Sequence, residues 1–98
     1  MSLPELDPII HQSTRLRLLA LLSGVDEADF NFLSTTLGLT DGNLSVHTSK
    51  LEQAGYLEIR KAFEGKLPRT TYRLTERGRE ELGRYWQALE EMRNAGGG

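Results

Sequence analysis

A chain of 98 residues without cysteine is the size of one domain, with room for a single core but not for a sensor beside a binding domain, and it excludes disulfides and thiolate metal sites. Its most apolar run, Leu16 to Leu22, is interrupted by Arg17 and is too short to span a bilayer, so no membrane segment is expected and the cytoplasm is the expected compartment. The net charge of −2 hides a segregation: residues 60–79 carry seven Lys/Arg against two Asp/Glu, while the rest of the chain is acidic. Such a block presents either a basic surface or a solvated hairpin with loose ion pairs.

Asp7 before Pro8 has the N-cap and N1 chemistry of a short helical turn, and Ser13 offers a second cap. Leu16, Leu19, Ala20 and Leu22 then read as a buried helix ending at Ser23 and closed by Gly24. In the next helix Asp29 is the expected cap, Phe30, Leu33 and Leu37 recur at helical spacing, and Gly38 is the stop.

The third helix has explicit ends. Thr40 is its N-cap, Leu39 and Leu44 are placed for a hydrophobic staple, and Gly55 suits the left-handed position past its end, with Tyr56 folding back on Leu51. At 100° per residue Leu44, Thr48 and Leu51 share one face with His47 at its margin. The opposite face collects Gly42, Asn43, Val46, Ser49, Lys50 and Gln53. That face has no Glu/Lys ladder of the kind that solubilises an ordinary surface helix.

After Gly55 the period changes to 2. Leu57 and Ile59 alternate with Glu58 and Arg60, and Tyr72 and Leu74 with Thr71 and Arg73, so two strands flank AFEGKLPR as a hairpin loop. Pro68 suits an exposed loop or edge. A last helix follows, capped by Thr75 and running through residues 75–94, with Leu82, Tyr85, Trp86, Leu89 and Met92 on one stripe; the glycine-rich end, residues 95–98, is expected to be disordered.

Three helices, the short turn LGLT between the second and third, a two-stranded hairpin and a long helix make an α+β winged helix-turn-helix over residues 1–94. A helix that enters a major groove needs short side chains that donate or accept at base edges, as Asn, Ser, Thr and Gln do. Gly42 and Ser45 keep its first turn slim, and its start aims backbone N–H groups at a phosphate. Lys61, Lys66 and Arg69 sit near the hairpin tip, placed for phosphates or an adjacent minor groove.

The segments LGLTDGNLSVHTSKLEQAGYL and YRLTERG, with the charged wing between them, resemble the winged-helix DNA-binding domain of small bacterial and archaeal transcriptional regulators close to the MarR and ArsR classes. The resemblance covers nearly the whole chain and implies a homodimer that binds double-stranded DNA as a two-fold clamp, with the long terminal helices in the dimer interface. By position it places base reading on Asn43, Ser45, Val46, Ser49 and Lys50, and wing contacts on Lys61, Lys66 and Arg69. The sequence departs from the pattern in lacking an arginine on the recognition face, so that base specificity is expected either to be modest or to rest on DNA shape, and in lacking the cysteines of a metal-sensing repressor.

Two histidines on different helices, His11 and His47, have no acidic or thiol companion and read as structural; Arg15 and Arg17 could touch phosphate, but Arg15 at the start of a buried helix could equally pair with a carboxylate. The stripe of Leu82, Tyr85, Trp86, Leu89 and Met92 reads as a subunit contact, or as the lining of a crevice for a small-molecule effector. No catalytic grouping, phosphate-cradling loop or metal-ligand spacing is present, so neither an enzyme nor a cofactor is expected. The expected function is a homodimeric repressor acting by operator occlusion, since there is no room for an activation domain. The alternative is a winged helix that binds another protein.

Overall fold

The computed structural model describes residues 3–96. The elements run α1 (Ser13–Leu22), β1 (Ala28–Asp29), α2 (Phe30–Leu37), α3 (Asp41–Gln53), β2 (Leu57–Glu64), β3 (Leu67–Leu74) and α4 (Glu76–Ala95). The strands form one antiparallel sheet in the order β1-β3-β2. A winged helix-turn-helix is therefore the observed fold, with β1 as an addition that alternation did not reveal. Two residues, one of them also the cap of α2, are too short to show a period of 2.

The core is one cluster in which Ile10, Leu18, Leu19, Leu22, Leu33, Leu44 and Leu51 are completely buried, joined by Leu57, Tyr72, Leu74, Leu82 and Tyr85. Each such side chain removed from water stabilises the fold by about 1.5–3 kcal/mol before entropy is counted. No helix among the described residues is long and apolar enough to cross a membrane.

Two turns fix α3. Gly38, at φ +65°, ends α2: its N–H bonds to the Thr35 carbonyl at 3.3 Å, and Leu39 N–H reaches back to Ser34 at 2.9 Å. Gly55, at φ +83°, repeats the pair after α3, with Gly55 N–H on Glu52 at 2.9 Å and Tyr56 N–H on Leu51 at 3.0 Å. These are the two bonds of a Schellman cap, and both need the left-handed backbone that glycine adopts without strain. Three residues thus separate α2 from α3, and Thr40 caps the latter by accepting from Asn43 N–H at 3.2 Å.

The turn at the N-terminus is also as expected: Asp7 accepts from Ile9 N–H at 2.8 Å, and its carbonyl from His11 N–H at 2.7 Å. The cap of α1, however, is Gln12 and not Ser13. Gln12 is extended and its side-chain carbonyl accepts from Arg15 N–H at 2.8 Å, whereas Ser13 already lies in the helix. Glutamine is not a usual cap, so local preference pointed one residue too far.

The hairpin differs more from expectation. AFEGKLPR is not a loop, because pairing continues from Leu57↔Leu74 to Glu64↔Leu67, leaving only Gly65 and Lys66 unpaired. Gly65 has φ +66°, which matches the twist of a tight hairpin turn. Pro68 opposes Phe63, one pair beyond the bonded pair that closes the turn, so its missing N–H falls on the side that β2 does not use. β1 meets β3 only at Thr71 and Tyr72, which leaves that side open at Pro68.

α4 starts against the end of α3. Thr75 accepts from Gly78 N–H at 2.9 Å and donates to the Gly55 carbonyl at 2.7 Å, while its own N–H bonds to Tyr56 at 3.1 Å. The helix then crosses so close to Tyr56 that a Cβ on Gly78 would stand 2.2 Å from the Tyr56 carbonyl oxygen and 2.8 Å from Leu74. Its C-terminus extends to Ala95 with Gly96 as cap, which places the first two residues of the expected disordered tail in ordered structure. Gly97 and Gly98 lie outside the described residues.

Candidate nucleic-acid interface

α3 is clamped from one side only. Leu44, Thr48 and Leu51 are buried, and the Thr48 hydroxyl donates to the Leu44 carbonyl at 2.9 Å. Asn43, Ser45, Val46, Ser49 and Lys50 are all exposed, as are Gly42 and Gln53, and Val46 keeps 55% of its surface open. The helix carries two further acids, Asp41 and Glu52. At 100° per residue both fall roughly 100° or more from Gln53, the centre of the outward face. The centre of that face, where Gly42, Val46 and Ser49 flank Gln53, is therefore mostly small and free of carboxylates. Its first turn is less open to a phosphate than the sequence suggested, because Thr40 occupies the Asn43 N–H and Asp41 adds a negative charge there.

The base of the helix is held by a buried arginine. Arg15 is 8% exposed and has no carboxylate within 4.0 Å among the described residues, which corrects the ion-pair alternative. Its Nε donates to the Ile9 carbonyl at 2.6 Å, one terminal nitrogen reaches Pro8 at 3.4 Å, and the other lies 3.2 Å from His47 Nδ1. The N-terminal turn, α1 and α3 are joined by this one side chain. Burial, then the charges of Arg15 and Lys50, lower the His47 pKa, so a neutral imidazole accepts from the guanidinium. Nearby, the Tyr56 hydroxyl donates to Asp7, and burial followed by that bond pushes the phenol up to about 12. His11 Nδ1 lies 2.9 Å from the Tyr85 hydroxyl. Both histidines thus have partners inside the fold, and a structural role is what their contacts describe.

The hairpin carries the cations, and its pairing sorts them by face. Residues directly opposite in a ladder share a face, and neighbours along a strand alternate. Lys61, Phe63, Pro68 and Thr70 therefore continue the side that bears Leu57, Ile59 and Tyr72. Tyr72 sits against Thr48 of α3, and burial raises its pKa while Thr48 opposes the rise. Arg69 is on the reverse side, within 3.8 Å of Asp29 and 3.7 Å of Glu64, and Arg73 there pairs with Glu58 at 3.5 Å. Lys61 and Lys66 are exposed, with no carboxylate within 4.0 Å among the described residues. The three wing residues singled out by position are thus not equivalent: two cations are free, and the third is engaged on the far face. Sequence proximity alone carried no information about faces.

The expected stripe on α4 also divides. Leu82 and Tyr85, expected on the stripe that meets a second subunit, are instead buried in the chain's own core. Leu89 packs against that core from its edge and Met92 is half-buried, while Trp86 is 46% exposed and stacks edge-on with Tyr85 at 5.6 Å. Among the described residues no group of three His, Cys, Asp or Glu is placed to hold a metal.

Residues 14–92 match the family described as winged helix DNA-binding domain. An uncharacterised protein of Methanocaldococcus jannaschii is 36% identical over 87 residues, which is 88% of this chain and 95% of that protein. The structure is similar to that of a transcriptional regulator homologue from Pyrococcus horikoshii, with a TM-score of 0.83 and 30% identity over 89% of this chain and 86% of the other. More distant structures share the fold. A MarR-family regulator from Silicibacter pomeroyi has a TM-score of 0.65 at 23% identity, and the transcriptional repressor CouR, bound to a 23-mer DNA duplex, has 0.72 at 22%. This chain is covered over 84% and 85% by these two, and spans 54% and 58% of their lengths.

Proposed function

We propose that this chain, which belongs to the winged-helix DNA-binding domain family, is a homodimeric, sequence-specific regulator that represses transcription in the cytoplasm by occupying its operator. The observation that carries the reading is the outward face of α3: Asn43, Ser45, Val46, Ser49 and Lys50 are all exposed on a helix whose other side is locked into the core. Such a face fits a major groove, where short donors and acceptors reach base edges and the Val46 methyls suit a thymine methyl. Lys61 and Lys66 add phosphate contacts. The likeness to CouR, whose structure holds a DNA duplex, supports the same mode of docking. Dimerisation is assigned to α4, where the half-open Trp86, with Leu89 and Met92 beside it, is an apolar surface that a second copy of the helix would cover.

The test is a selection of the purified chain against a pool of randomised duplexes, with sequencing of the survivors. A two-fold symmetric motif with half-sites about one helical turn apart is the expected result. Affinity for it should fall by ~10³ or more from low to moderate salt if six or more phosphates are neutralised. Enrichment of nothing, with no such salt slope, would overturn the reading in favour of a protein-binding winged helix.

A further inference from the structure

The outer half of the hairpin holds two of the most exposed apolar side chains in the molecule, Phe63 at 77% and Leu67 at 72%. A phenylalanine left in water at the end of a ladder adds nothing to the core, and none of its neighbours in the chain covers it. The register shows that the two residues are not one patch. Phe63 opposes Pro68 on the side of the sheet where α3 lies, and Leu67 opposes Glu64 on the reverse.

The two sides also differ in charge. On the reverse, the carboxylates Glu58 and Glu64 engage Arg73 and Arg69. On the α3 side, from Lys61 outward, the residues are Lys61, Phe63, Pro68 and Thr70, with no carboxylate among them. Lys66 caps the tip in the turn. An apolar ring flanked by unpaired ammonium groups fits a polyanion that offers a narrow apolar slot between stacked bases. Phe63 also stands six residues beyond Leu57, a reach of about 20 Å at strand rise. That is close to half of the ~34 Å duplex turn, the step from one groove to the next.

We infer that the wing is a minor-groove wedge: with α3 in the major groove, Phe63 inserts at a base step of the adjacent minor groove while Lys61 lies on its phosphate wall. The inference rests on the DNA-binding reading above and adds a source of specificity to it. The outward face of α3 has no arginine for bidentate guanine contact, so part of the preference comes from how easily the flanking duplex opens. Pyrimidine–purine steps unstack most readily, and such a step is what the wedge selects.

The experiment uses the full chain, the duplex recovered by selection, and 2-aminopurine placed in turn at each flanking step to report unstacking by fluorescence. Wild type is expected to raise the fluorescence at one step per half-site and to favour pyrimidine–purine there. Phe63→Ala should abolish both and weaken binding about tenfold, the scale of one lost contact, with an unchanged salt slope because no charge is removed. Phe63→Leu should retain part of the signal. Leu67→Ala, equally exposed but on the reverse face, should behave as wild type. The wedge is refuted if Phe63→Ala keeps the flanking preference and the fluorescence, if Leu67→Ala does equal damage, or if Phe63→Ala changes the sedimenting species instead. Absence of duplex binding by wild type would sink the DNA reading itself, an outcome distinct from binding without unstacking.

Discussion

The inner and outer halves of the hairpin are one continuous ladder, yet different forces hold them. At the inner end Leu57, Tyr72 and Leu74 are buried in the core, and Gly78 of α4 lies against Tyr56 and Leu74. From Lys61 to Arg69 every residue is exposed, so the outer half persists through backbone pairing and the Gly65 turn, helped only by the exposed ion pairs of Arg69 with Glu64 and Asp29. The same division runs along α3, buried at Leu44, Thr48 and Leu51 and open at Asn43, Val46 and Ser49. Where burial stabilises a segment its sequence is constrained by packing; where pairing alone stabilises it, the side chains are free to serve a ligand.

The sharpest way to break the inner half is Gly78→Ala. The new methyl meets the Tyr56 carbonyl at 2.2 Å, an immobile backbone atom, so α4 must shift off the hairpin. A loss of more than about 3 kcal/mol is expected from urea unfolding; a change below 1 kcal/mol on the order of surface substitutions would show that the crossing is looser than the geometry.

Gly65→Ala tests the outer half by a different mechanism. Its Cβ would touch nothing within 4 Å, but φ is +66°, and the left-handed backbone costs a residue with a Cβ about 1–2 kcal/mol. Amide exchange should accelerate between Lys61 and Thr70 while the thermal midpoint barely moves. A midpoint that falls as far as with Gly78→Ala would mean that the halves melt together.

The smallest effect belongs to the border of the division, where His47 meets Arg15 beneath the exposed face of α3. Its folded pKa is lowered from 6.5 by burial, Arg15 and Lys50. The unfolded chain therefore takes up a proton first. This contribution to stability is complete above 6.5, is lost as pH falls through the lowered folded value, and levels off below it. His47→Gln should remove that part of the slope in a series of thermal midpoints between about pH 7 and 5. An identical slope in the variant would assign it elsewhere.

Elements with local punctuation were legible from the sequence. Asp29, Thr40 and Thr75 cap where expected, and Gly38 and Gly55 take left-handed backbone, because caps and glycine turns depend on residues only a few positions apart. The inward face of α3 followed from its period. Less legible were Gln12 as a cap, the β1 pairing, the length of the hairpin ladder and the close approach at Gly78. Each depends on a partner distant in the chain or on a weak local preference that context overrode.

For the interface, the sequence by itself determined which residues of α3 face outward and that cations cluster in the hairpin, since helical period and composition are local properties. Only the tertiary structure decided which cations are free. Lys61 shares the α3 side with Phe63, while Arg69 lies on the other with Asp29 and Glu64. It also decided that Tyr85 is core whereas Trp86, the next residue, is half open. The physical reason is common to both: a face is assigned by register and packing against elements far along the chain, and a side chain's charge or size says nothing about which way the backbone will turn it.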